Sequence, residues 1–177
     1  LQDMETRNNL TKFVFTGPEC SGKTTLSSKI AKKLNIPLVK EFARDYLTNL
    51  NRKYNYHDLF KIAKGQLKLE EEAIAQNKHE KAIICDTDIQ VIKIWSQVKY
   101  SKCDPFIMNY NTNNYYILCY PDFKWEPDPL RENKNNRMEL FKLYHSDLMQ
   151  NNEKFIIAQG THENRIKLVV NQILKII

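Results

Sequence analysis

Glycine is scarce in this chain, with four residues in 177. That scarcity excludes collagen-like and glycine-rich low-complexity architectures, and it makes each glycine's position informative. Three of the four, Gly17, Gly22 and Gly160, fall just after runs that read as β-strands. Cysteine is equally sparse. Cys20, Cys85, Cys103 and Cys119 are scattered and form no C-x-x-C pair, so neither a disulfide framework nor a zinc site is indicated. Cys85 and Cys119 lie in apolar runs and read as core residues. No apolar run approaches the ~20 residues that span a membrane. The first seven residues are too polar for a signal peptide, and residues 1–11 are expected to be an extension, with Leu1 to Asp3 a tag remnant if Met4 is the native start. A cytoplasmic protein with no membrane partner is expected. Charge is also unconcentrated: 27 Lys and Arg against 21 Asp and Glu give a net +6 without a basic block. That argues against a nucleic-acid partner and suits a small polyanionic ligand.

What is present begins at Phe13-Val14-Phe15, a short apolar run of β-favouring residues. Directly after it, Gly17-Pro18-Glu19-Cys20-Ser21-Gly22-Lys23-Thr24 fits G-x-x-x-x-G-K-[ST], the P-loop pattern. Leu26, Ile30 and Leu34 then recur every four residues and predict a helix. Strand, loop and helix are the context that the motif requires. Gly17 and Gly22 permit the sharp turn, which aims backbone N–H groups and the helix dipole at one spot. Lys23 is expected to reach the β- and γ-phosphates of ATP, and Thr24 to place its hydroxyl on Mg²⁺.

Further along, Pro37 to Lys40 reads as a second strand, followed by Glu41-Phe42-Ala43-Arg44-Asp45-Tyr46-Leu47. Glu41 and Arg44 would share a face at a strand's C-terminal end, where open α/β sheets bind ligands; a solvated Glu/Arg pair is the alternative. A polar stretch, Asn49 to Asn55, reads as a loop over the substrate. A long helix is expected from about His57 to His79, interrupted at Gly65-Gln66, where a ligand or a neighbouring helix would approach closely. Lys81 to Cys85 is an apolar strand ending in Asp86-Thr87-Asp88. After a P-loop this has the shape of a Walker B element: Asp86 would order the Mg²⁺ water shell, and Asp88 would address a substrate hydroxyl. Ile89 to Val98 reads as a helix with Trp95 in the core, Tyr100 to Asn114 as a connection, and Tyr115 to Tyr120 as a buried strand. Residues 121–137 hold three prolines and no periodicity, and the stretch reads as a lid, at about 122–137, carrying Arg131 and Arg137. Such arginines neutralise charge on a migrating phosphoryl group; two surface arginines are the alternative. A helix (Met138 to Asn151), a strand (Phe155 to Ala158) and a last helix (Glu163 to Ile177) complete the pattern. Alternating strands and helices predict an α/β P-loop NTPase over residues 12–177: an open parallel sheet of about five strands with helices on both faces.

The segments G-P-E-C-S-G-K-T, V-K-E-F-A-R-D-Y-L, G-Q, C-D-T-D and P-D-F-K-W-E-P-D-P-L-R, in this order with a later Arg, resemble the ribosylnicotinamide kinase domain of the bacterial multifunctional regulators of NAD biosynthesis. The resemblance spans about Lys12 to Arg165. It implies ATP- and Mg²⁺-dependent phosphorylation of nicotinamide riboside at its 5′-hydroxyl. On that reading Ser21, Gly22 and Thr25 complete the phosphate cradle, and Glu41 takes or orients the acceptor proton. Arg44, Tyr46, Asp88 and Trp125 line the riboside pocket. Arg131 and Arg137 close on the phosphates, and Thr161 and Arg165 lie near the adenine. Cys20 stands where that family has Ser or Ala, and is expected to present only backbone. No H-x-G-H adenylyltransferase motif occurs in these residues, so the chain is expected to stop at the mononucleotide. Another nucleoside or a vitamin alcohol as acceptor, and a nucleotide-binding regulator with slow ATPase activity, remain the alternatives.

Overall fold

A computed structural model describes residues 10–177; most of the expected N-terminal extension lies outside the described residues. Five strands form one sheet: β1 (Thr11–Thr16), β2 (Leu38–Val39), β3 (Ala82–Asp86), β4 (Tyr115–Cys119) and β5 (Lys154–Ala158). All pairs are parallel, in the order β2-β3-β1-β4-β5. β1 is central, with Phe13 opposite Ile84 on one side and Tyr115 on the other. The helices are α1 (Lys23–Leu34), α2 (Phe42–Thr48), α3 (Tyr56–Gln76), α4 (Ile89–Tyr100), α5 (Pro105–Met108), α6 (Arg137–Gln150) and α7 (His162–Ile176).

The strands read as unbroken apolar runs because both faces are covered. Successive side chains alternate faces. Phe13, Phe15, Ile84 and Ile117 pack with α1 and α7, through Leu26, Ile30, Val169 and Ile173. Val14, Ile83, Cys85 and Leu118 pack on the other face with α4 and α6, through Ile94, Leu140, Tyr144 and Leu148. Cys85 and Cys119 are core residues, fully buried. A third cluster joins α2 to α3 and α4.

Three boundaries differ from the pattern. β2 keeps two residues, because Pro37 accepts from the Ile84 amide at 2.9 Å but has no N–H to return. The connection after α4 contains α5, started by Asp104 as N-cap with Pro105 at its first position; four residues carry no periodicity to read. α3 runs unbroken through Gly65, from an Asn55/Asp58 capping box.

Candidate active site

Gly22, at φ +85°, ends the turn after β1 and is the N-cap of α1. It accepts no side-chain cap, and the first turn holds no acidic residue, so the leading amides of α1 are left for an external anion. A Cβ at Gly22 would lie 2.7 Å from the Phe123 ring. The loop is rigid from within: the buried Ser21 hydroxyl donates to the Pro18 carbonyl at 2.8 Å. Lys23 Nζ donates to the Gly17 and Pro18 carbonyls at 2.9 and 2.8 Å. Lys23 thus curls over its own loop, within reach of a phosphate that would exchange for those carbonyls.

The loop forms one end of a cavity of about 530 Å³, in the range that takes a small-molecule substrate. Gly17, Ser21, Gly22, Lys23, Thr24, Thr25, Glu41, Arg44 and Arg131 all line it. Glu41 is the N-cap position of α2, with no hydrogen bond from its side chain to the helix, so its carboxylate is free for the cavity. Burial raises its pKa above the ordinary carboxylate value; Lys23 opposes that and Asp86 adds to it.

Asp86 ends β3 and is 4% exposed, and its Oδ1 has no hydrogen-bond partner. Burial pushes its pKa up, while the Thr24 hydroxyl and Lys23 pull it down. An orphaned carboxylate oxygen beside a P-loop hydroxyl is the donor set that an Mg²⁺ with a water shell would complete. Among the described residues no cluster of three His, Cys, Asp or Glu could hold a metal alone. Thr87, at φ +74°, is a β-branched residue in a strained conformation. It separates Asp86, which faces the loop, from Asp88, which faces away.

The structure corrects several expected positions. Asp88 is 1% exposed and N-caps α4, accepting from the Gln90 amide (3.0 Å), Tyr116 Oη (2.7 Å) and Asn114 Nδ2 (3.0 Å). It has no reach to a substrate hydroxyl. Tyr46 donates to Asp58 at 2.8 Å, outside the cavity. Thr161 N-caps α7, accepting from the Asn164 amide at 3.2 Å. Arg165 is fully buried and donates to the carbonyls of Gly160, Ser21 and Tyr120 and to the Asp122 carboxylate. It braces the phosphate loop from behind and does not face the cavity. Trp125 also lies off the cavity, with the guanidiniums of Arg131 and Arg137 at 6.0 and 5.8 Å from its ring centre. Arg137 opens α6 and donates to the carbonyls of Phe123 (2.9 Å) and Cys20 (3.3 Å).

Other cavity residues were not singled out in the sequence. Trp95 packs against the third core cluster, as expected, and also lines the cavity, held by its Nε1 donating to Tyr54 Oη at 3.0 Å. Tyr144 and Val98 lie on the same apolar side, and His162 stacks on Phe123 with centroids 4.5 Å apart. Residues 122–136, which carry no helix or strand, lie over the phosphate loop. Glu19 accepts from the amides of Glu132 and Asn133 at 3.0 and 2.8 Å. Lys99 pairs with Glu132 (2.8 Å), and Arg44 with Asp128 (3.2 Å). The Cys20 thiol was expected to be idle. Its Sγ instead donates to the Lys124 carbonyl and accepts from the Glu126 amide, both at 3.3 Å; its backbone is left-handed, at φ +55°.

No curated protein sequence matches the chain. Among solved structures, NadR protein in complex with NAD and AMP-PNP superposes with a TM-score of 0.74 at 17% identity, covering 95% of this chain and 50% of that one. NadR in complex with NR gives 0.74 at 17%, covering 93% and 49%. Deoxyadenosine kinase from M. mycoides gives 0.63 at 20%, covering 93% of this chain and all of that one. The chain therefore spans about half the length of the NadR chains it matches. A family model described as an AAA domain matches residues 12–165, taking in the phosphate loop, Asp86 and all of the sheet but Thr11, and the chain belongs to that P-loop family.

Proposed function

We propose that the protein is an ATP-dependent small-molecule kinase, transferring the γ-phosphoryl group to the 5′-hydroxyl of nicotinamide riboside. The observation that carries this is a single cavity holding the phosphate loop at one end and the uncapped, desolvated Glu41 carboxylate alongside it. The backbone amides of the loop and α1, with Lys23, hold the triphosphate. Thr24 and Asp86 would hold Mg²⁺, which when bound draws charge off the β- and γ-oxygens. The acceptor oxygen attacks the γ-phosphorus, the bond to the β-phosphate oxygen breaks, and ADP leaves. Glu41 takes or orients the proton released from the hydroxyl. Arg131, on the covering segment, and Lys23 neutralise the migrating group. Arg44 and Trp95 flank the acceptor end.

The NadR complexes with NR and with AMP-PNP support the choice of substrates. A deoxynucleoside is the second reading, favoured by the deoxyadenosine kinase match over that enzyme's full chain. The test is ADP formation with Mg-ATP and a panel of nicotinamide riboside, deoxynucleosides and vitamin alcohols. Stimulation by nicotinamide riboside is expected. Stimulation by another alcohol alone replaces the substrate, and hydrolysis that no acceptor alters removes the kinase reading in favour of a slow ATPase.

A further inference from the structure

Glu41 sits at a weak place in the fold, between a two-residue edge strand and a seven-residue helix. Its carboxylate makes no cap bond that would fix it. What fixes the backbone there comes from α3. The Phe42 amide donates to Gln66 Oε1 at 2.9 Å. Gln66 is 1% exposed, and its Nε2 donates to Glu70 Oε1, one turn on, at 3.3 Å. Glu70 is 2% exposed and pairs with Lys12 of β1. A carboxylate only accepts, so Glu70 claims the NH₂ end of Gln66 and leaves its oxygen for Phe42. The amide orientation is dictated by the buried ion pair. Burial works against the Lys12 charge, but Glu70 and Asp88 outweigh it and hold the ammonium protonated; burial raises the Glu70 pKa in turn, and Lys12 opposes that. The Phe42 ring, meanwhile, lies where a side chain at residue 65 would be: a Cβ on Gly65 would fall 2.2 Å from Phe42 Cε1. None of Lys12, Gly65, Gln66 and Glu70 lines the cavity.

We propose that Gly65 and Gln66 form a seat for Phe42 that sets the place of the Glu41 carboxylate, making Gln66 a positioning residue of phosphoryl transfer. The seat rests on the kinase reading only in giving Glu41 its role. A displacement of about 1 Å at a reacting group costs on the order of 10²-fold in rate, and Gln66 is what resists it.

The test is Gln66→Met, which fills the volume but neither accepts from Phe42 nor donates to Glu70. It is expected to lower kcat at least tenfold with KM for ATP within twofold. Gln66→Glu is expected to regain most of the loss, since a buried acid beside Glu70 stays protonated, donates to Glu70 and still accepts from Phe42. In a Glu41→Gln background, Gln66→Met is expected to add little. Amide exchange at Phe42, followed by NMR in the free protein, is expected to quicken with Gln66→Met; this readout needs no acceptor, so it decides the seat even if the wild type phosphorylates nothing. Should Gln66→Met fail to melt cooperatively, Gln66→Asn, which withdraws the amide by one methylene, takes its place with the same expectations. Wild-type kcat, unchanged Phe42 exchange, or an equal further loss in the Glu41→Gln background would each overturn the proposal.

Discussion

Arg165→Met is the change that best separates the structure's account from the one the sequence suggested. As an adenine contact, Arg165 would matter for nucleotide affinity and little for folding. In the structure its side chain is fully buried, and it donates to three backbone carbonyls, at 2.9 Å (Gly160), 2.8 Å (Ser21) and 2.9 Å (Tyr120), and to Asp122. Methionine retains most of the volume and removes every donor. Hydrogen bonds to a charged group contribute about 1.5–3 kcal/mol each, and removing one member of a buried ion pair costs about 3–5 kcal/mol. Asp122, 30% exposed, regains water when the guanidinium goes; the buried Ser21 cannot. A loss of about 4 kcal/mol is expected, which in a domain of this size lowers Tm by about 8–16 °C at about 2–4 °C per kcal/mol. Urea and thermal unfolding read the loss, and ATP titration of the folded fraction reads the affinity. A Tm within about 2 °C of wild type, together with weakened ATP binding, would refute the bracing role and restore the ligand role.

Glu41→Gln is expected to lower kcat by roughly 10²-fold or more, in the range of general-base losses, with ATP affinity nearly unchanged; equal losses in both would remove Glu41 from the proton-transfer role. Burial raises the pKa of Glu41 and of Asp86, so the folded state holds those protons to higher pH than the unfolded chain. Their contribution to stability is therefore full at acid pH and falls as pH rises from the ordinary carboxylate range through the raised values, while turnover rises over the same window. Denaturant midpoints and pH–rate profiles measured together check that opposition, and Glu41→Gln is expected to flatten the stability slope. Asp86→Asn is expected to raise the Mg²⁺ concentration needed for half-maximal activity at least tenfold, read by Mg²⁺ titration at saturating ATP. Gly22→Ala forces a Cβ to 2.7 Å from Phe123 at φ +85°, and is expected to lose about 1–3 kcal/mol of stability, measured by urea unfolding, and to weaken ATP binding, measured by calorimetry.

The parts of the fold that the sequence declares are those in which neighbours along the chain are also neighbours in space. β1, the glycine turn and α1 are contiguous, so one stretch of residues carries the turn and the uncapped amides at the start of α1. Strands buried on both faces declare themselves as apolar runs. Polar residues are harder, because an apolar stretch of sequence says nothing about which polar side chain turns toward the cavity. Asp86 and Asp88 stand two apart and look equivalent; only the strained turn at Thr87 sends them to different places. Even so, a signal was there. Asp88 immediately precedes a helix and is a preferred N-cap type, which the capping geometry confirms. Arg165, Val169 and Ile173 fall four residues apart on one stripe of α7, and all three are buried. A charged residue in register with an apolar stripe faces the core and must find its partners there. Four acceptors from three different stretches of chain meet Arg165. Tyr46 has no such local mark, since its partner Asp58 lies on another helix, and only the packing of α2 against α3 brings the two together. The same packing seats Phe42 on Gly65-Gln66. That dipeptide, which reads as a break in a helix, is the point at which α3 holds the start of α2, next to Glu41.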